Sequence, residues 1–279
     1  MAMHMAVVLY KHCFRINSLK ASQDLSKVVR GGTGDAEALA SRADVVGFLY
    51  FEGLLLMRSA ANDRVKRAKA EQTLTRALKE CHYTATGNRR RILAHLVPLR
   101  MRMGCLPERE LLEKHDLLIF DDFCNAMRGG DLAQFSALMK QHERTLELTD
   151  LRPHLEGCRL IVYRQVLKNI VKATGAHAIP LNVIKLGFLL NGHEFDGDSE
   201  HQDGSRYASR EALEEQEAYR YDQLKAALAT LITQGVISGV IRGRDNKLQL
   251  SKKAPFPKLP GRSDLERRSF RRAGVFGTR

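Results

Sequence analysis

Apolar residues recur at helical spacing through most of the chain up to Gly175. Residues 5–30 mix apolar and basic groups at this spacing and stop at Gly31-Gly32-Thr33-Gly34. Asp44 to Ala60 predicts a strongly apolar helix, approached through Leu39 to Ser41. Asp63 to Cys81 predicts the next, with Val65, Ala68, Leu74 and Leu78 as its apolar face. After a loop at Thr84 to Asn88, Asn88 to Met103 predicts a third, with Ile92, Leu93, Leu96 and Leu99 inward and a kink at Pro98. Glu108 to Lys114 and Leu118 to Met127 follow, the second ending at Gly129-Gly130. Asp131 is an N-cap for Leu132 to Gln141. Leu155 to Thr174 reads as one long amphipathic helix closed by Gly175. Helices in close succession with short breaks predict stacked antiparallel pairs, a solenoid of the tetratricopeptide sort. The pairs are not self-similar enough to define a period, although Gly129 to Phe135 reads like one degenerate repeat turn.

Beyond Gly175 the pattern changes. Ile179-Pro180-Leu181 opens a helix through Val183, Leu186 and Leu189, with Pro180 suited to a first turn. Gly192 to Glu217 is acid-rich and poor in apolar residues, and predicts a flexible insertion. Leu224, Leu228 and Leu231 restore helical spacing, and Gln234-Gly235 ends it. Val236 to Ile241 is β-branched and predicts a strand. Gly243-Arg244-Asp245-Asn246 is a turn, and Leu248-Gln249-Leu250 alternates as a return strand. Helix, strand, turn, strand is the second half of a winged helix. The fold expectation is mostly α: a helical-repeat solenoid over residues 1–176, a winged helix over 177–252 with its insertion at 192–217, and a basic flexible tail over 253–279.

Composition sharpens this. Of 279 residues, 44% are hydrophobic, enough for a substantial core, and Trp is absent. The formal net charge is +13 and unevenly spread, which points to an acidic partner, whether nucleic acid, an acidic protein or a membrane surface. Solubility alone is the plainer explanation. The five cysteines, Cys13, Cys81, Cys105, Cys124 and Cys158, are widely spaced without a CxxC pair, as in reduced intracellular proteins. No apolar run reaches the ~18 residues of a membrane helix. Met1 to Tyr10 lacks the charged start and cleavage site of a secretory signal, so a cytoplasmic or nuclear protein is expected.

Candidate chemistry is electrostatic. Arg242, Arg244 and Lys247 crowd the wing, and Lys252 and Lys253 follow it. An exposed hairpin tip can meet phosphate without prior desolvation, giving affinity and salt dependence but no base specificity. The alternative is an ordinary solvated hairpin. Lys225 is the one cation among the outward positions Gln223, Lys225, Ala229, Thr230 and Thr233 of the preceding helix. Such a mild face is unsuited to reading bases. Arg89, Arg90, Arg91, Arg100 and Arg102 form a second basic region that cannot share one helix face, and read most simply as the polar side of a solenoid helix. Arg164, Lys168 and Lys172 are four apart and predict one stripe. His82, His115, His142, His154 and His177 lack metal-ligand spacing. Asp121-Asp122 and Glu194-Asp196-Asp198 read as solvated carboxylates. The Gly pairs lack the strand and lysine of a phosphate loop, and no nucleophile, base or metal set converges, so neither an enzyme nor a cofactor is expected.

The array leading into a winged helix resembles the PCI domain, shared by the proteasome lid, the signalosome and the translation initiation factor 3 complex. Asn88-Arg89-Arg90-Arg91-Ile92-Leu93 with Leu96, Pro98, Gly104 and Pro107 resembles one PCI subgroup. So do Leu160-Ile161-Val162-Tyr163-Arg164 and Lys247-Leu248 through Ser251-Lys252 to Pro255-Phe256-Pro257. The subgroup is that of PCI domain-containing protein 2, related to signalosome-associated PCI proteins; the resemblance spans about Val45 to Leu259 and implies that the N-terminal part of the PCI domain begins at about residue 108, within the helical array. It implies a non-catalytic scaffold of the TREX-2 complex, which couples transcription to messenger RNA export, in the nucleus at the pore with some in the cytoplasm. The implied partners are a GANP-type scaffold, a small acidic protein shared with the proteasome lid, and RNA or DNA bound without sequence preference, with neither membrane nor small-molecule substrate. Arg164, Lys168 and Lys172 would receive the acidic protein. A signalosome-like or lid-like assembly, with the winged helix used only for packing, is the alternative. Members of the group have a longer N-terminal region, so early helices are expected to be missing or divergent.

Overall fold

A computed structural model describes residues 2–31, 39–60, 63–193, 195 and 210–259. The expected break at Gly32 to Gly34, most of the acidic insertion and the tail from residue 260 lie outside them. The helices are α1 (Ala2–Arg15), α2 (Leu19–Gly31), α3 (Arg42–Ser59), α4 (Arg64–Glu80), α5 (Thr86–Arg102), α6 (Arg109–Lys114), α7 (Ile119–Gly129), α8 (Leu132–Gln141), α9 (Glu143–Leu148), α10 (Arg152–Glu156) and α11 (Arg159–Thr174). Then come β1 (Ala178–Pro180), α12 (Leu181–Leu190), α13 (Arg210–Thr233), β2 (Gly239–Arg242) and β3 (Lys247–Leu250). The fold is mostly helical with one small sheet, as the sequence predicts. Packing divides the chain near Asp121: one compact unit runs to that residue and includes Pro153–Leu155, and the other comprises Asp122–Arg152 and residues 156–259. Most of α7, with α8, α9 and α11, therefore packs in the unit that holds the winged helix, whereas Pro153–Leu155 of α10 pack in the first unit.

In the first unit, α3 is the hub. Its residues Val45, Val46, Leu49, Leu55 and Met57 are buried. It lies so close to α4 that a Cβ on Gly53 would meet Leu74 Cδ2 at 2.5 Å. Glu52, only 2% exposed, is pinned by the Tyr10 hydroxyl of α1 and the Arg30 guanidinium of α2. A buried carboxylate persists only when partnered this way. The face predicted for α4 is corrected: Ala70, Leu74, Ala77 and Leu78 are buried, whereas Val65 stands in solvent. The second basic region is scattered by structural duties. Arg100 is buried and donates to Glu71 (2.7 Å) and Thr75 (2.9 Å). Arg89 donates to the carbonyls of Leu78 and Cys81 at the end of α4, groups a helix leaves unsatisfied. Arg90 pairs with Asp116.

In the second unit, Asp131 caps α8 by accepting from the Gln134 N–H at 2.8 Å. The Asn191 carbonyl takes the N–H groups of Leu132 and Ala133, tying the start of α8 to the end of α12. The long helix expected over Leu155 to Thr174 is instead α10 and α11, the latter closed by Gly175 at φ +64°. Arg152 gathers Glu143, Glu147 and Glu156 around itself. Ile179 and Pro180 form β1, not the start of a helix. The sheet is antiparallel with order β1-β3-β2, Ile179 facing Leu248 and Ile241 facing it from the other side. Leu248 and Leu250 turn inward with Leu224, Leu228, Leu231, Ile184 and Phe188. Val236 and Ile237 precede the strand: Gly235 (φ +67°) ends α13, and their N–H groups return to the Leu231 carbonyl. The acidic insertion is shorter than its sequence implies, because α13 begins at Arg210 and Glu217 on it pairs with Lys185.

Candidate functional site

The wing is built by two four-residue strands and the turn between them. Leu248 and Leu250 face the core, so Lys247 and Gln249 face out, and their register partners Arg242 and Val240 share that outer face. Arg242 and Lys247 are thus directly opposed cross-strand neighbours of like charge, an arrangement that is destabilising by itself. Both are exposed, as are Arg244 at the turn and Lys252 and Lys253 beyond the strand. None of these five side chains makes an ion pair among the described residues.

Lys225 sits apart from them. It is half-buried on α13 with its Nζ 3.2 Å from Asp222. Both residues line a cleft of about 480 Å³, together with Pro180, Asn182, Ala218, Tyr221, Asp245 and Asn246. Asp245 brings the wing tip to the cleft and Asn182 brings the start of α12. The cleft was not legible in the sequence, because three separated segments make it.

The stripe on α11 is corrected. Arg164 is 6% exposed and donates through Nε to the Val236 carbonyl (3.0 Å) and through Nη2 to the Pro257 carbonyl (2.8 Å). Its charge serves the fold, not a surface. Lys168 lies over the Phe256 ring at 5.7 Å, and Lys172 is exposed. The first part of the supposed flexible tail is docked here as well. The Ser238 N–H donates to the Pro255 carbonyl, and Leu259 is buried.

No protein-family model matches the sequence. PCI domain-containing protein 2 of Danio rerio is 29% identical over 252 residues, 90% of this chain and 55% of that protein. The PCI domain-containing protein 2 homolog of Drosophila melanogaster is 28% identical over 258 residues, 92% and 58% of the two chains. The chain is related to the PCI domain-containing protein 2 group. The Protein CSN12 homolog of Neurospora crassa is 25% identical over 265 residues, 90% and 53% of the two chains. The chain spans about half the length of the curated relatives it matches.

The mostly helical fold with its small sheet is consistent with that of the PCI proteins the chain resembles. Among the described residues no cluster of His, Cys, Asp and Glu could hold a metal ion, and no helix is long and apolar enough to cross a membrane. The exposed cations of the wing offer attraction for a polyanion.

Proposed function

We propose that this chain is a non-catalytic PCI scaffold whose wing holds the phosphate backbone of nucleic acid without reading sequence. The observation that supports it is the opposed pair Arg242 and Lys247, exposed on the outer face of the hairpin without a counter-ion. A phosphate between them relieves their repulsion. Arg244, Lys252 and Lys253 extend the same positive edge. Lys225, paired with Asp222, adds little.

The similarity to the PCI domain-containing protein 2 group supports a reading in which this activity serves a TREX-2-like messenger RNA export assembly in the nucleus, with a GANP-type scaffold and a small acidic protein as partners. Lys168 and Lys172, without Arg164, remain as the surface for the acidic chain. Exposed Leu186, Leu189 and Leu190 on α12 favour a second reading, in which the winged helix also packs against a sister subunit of a signalosome-like or lid-like assembly.

The test is salt-dependent binding of RNA and DNA by the wild type beside Arg242→Glu/Arg244→Glu/Lys247→Glu. Loss of affinity with a shallower salt slope supports the reading, and equal affinities remove the wing from it. Purification from the native cell with mass spectrometry decides the assembly. Recovery of lid or signalosome subunits without a GANP-like chain selects the second reading.

A further inference from the structure

Resting on the wing as a nucleic-acid surface, we infer that Asp222 and Asp245 make this surface selective for single-stranded nucleic acid over duplex. A helix-turn-helix module engages a duplex by laying its second helix in the major groove, between two phosphate backbones. In this winged helix that helix is α13, and the space beside it is the cleft bounded by α12, α13 and the wing tip. Asp222 and Asp245 line this cleft, and a duplex laid against α13 would bring a phosphate backbone towards it. Lys225, the one cation among the described residues that line the cleft, already pairs with Asp222. Phosphate entering there meets net negative charge.

The outer face of the hairpin has the opposite character. Arg242 and Lys247 stand opposed, and Val240 beside them is 65% exposed. An apolar spot next to two cations suits one unstacked base with its phosphates, which a single strand offers and a paired duplex does not. The positive edge and the negative cleft are parts of one small module, so they discriminate by shape: a thin strand follows the hairpin, whereas a duplex wide enough to reach α13 is repelled.

The test uses the full chain, a fluorescently labelled single-stranded DNA of mixed sequence, and the same strand annealed to its complement, compared by anisotropy at one salt concentration. The wild type binds the single strand more tightly. Asp222→Asn/Asp245→Asn raises duplex affinity relative to single-strand affinity about fivefold, the effect of removing one close like-charge contact in water. Thermal melting of the variant confirms its fold, and Asp245→Asn alone, which leaves the Lys225 pair intact, gives a smaller change in the same direction. Equal or tighter duplex binding by the wild type, or a preference unmoved by the double variant, overturns this inference and leaves the wing reading standing. Binding of neither probe by either protein overturns both.

Discussion

The Nε of Arg164 on α11 donates to the Val236 carbonyl at 3.0 Å, joining two residues 72 positions apart. The same guanidinium donates to the Pro257 carbonyl and lies 5.7 Å from the Phe256 ring centre. One planar fork therefore holds α11, the corner after α13 and the segment that leaves the wing. Lysine, with a compact ammonium, cannot reproduce that fork. Arg164→Met should destabilise the second unit by about 2–4 kcal/mol, since it strands buried carbonyls. Arg164→Lys should recover only part of this. Urea unfolding measures both. Unchanged stability would return Arg164 to the role of a surface charge.

The phenols of buried Tyr10 and half-buried Tyr50 predict a second behaviour. Tyr10 is pushed well above the ordinary tyrosine range by burial and by the neighbouring Glu52 carboxylate. Burial pushes Tyr50 up to about 12, opposed by Arg91. In the unfolded chain both phenols ionise near pH ~10. Above that pH the unfolded state holds fewer protons than the folded one, so stability falls as pH rises. The contribution is whole below pH ~10 and is lost as pH climbs towards the folded value. The urea midpoint should drop between about pH 10 and 12, and drop less steeply in Tyr50→Phe. Tyr50→Phe is the cleaner probe, because Tyr10→Phe also removes a hydrogen bond to Glu52. Parallel pH profiles for wild type and Tyr50→Phe would contradict the burial of this phenol.

Where sequence and structure part company, the reason is distance along the chain. The Asp131 cap, the span Leu132 to Gln141 and the stop at Gly175 are set by neighbours within one turn, and they were legible. Arg164 was not, because helical spacing places it with Lys168 and Lys172, while its partners come from Val236 and Pro257. Arg100 was hidden in the same way by Glu71, and the burial of Glu52 in an apolar helix is explained only by Tyr10 and Arg30, which other helices bring to it. Three residues, Ala178–Pro180, are too few to show strand alternation, so β1 emerges only from pairing with β3. Val236 and Ile237 have strand propensity, yet they are buried at a corner, where packing outweighs it. Of the candidate site, the wing charges were readable, since a turn between two alternating segments must be exposed. The joining of Lys225 with Asp222 and Asp245 was not, because the cleft exists only once α12, α13 and the wing have met.

Arg242 and Lys247 set stability against binding at one pair of positions. Like charges directly opposed on two strands are unfavourable by about 0.2–1 kcal/mol relative to a neutral pair. A carboxylate in one position converts that repulsion to attraction. Lys247→Glu should therefore stabilise the protein by about 0.5–1 kcal/mol, seen as a raised urea midpoint. The same change removes one phosphate contact and adds a repelling charge, so nucleic-acid affinity should fall while the slope of log K against log salt becomes shallower by about 1. Arg242→Glu should behave alike, because the pair is symmetric in register. The double variant Arg242→Glu/Lys247→Arg keeps one charge of each sign and should retain the stability gain without recovering binding. A Lys247→Glu protein that binds as tightly as wild type would remove this pair from the phosphate surface. A Lys247→Glu protein that is less stable than wild type would mean that the two side chains do not meet across the strands as the register places them.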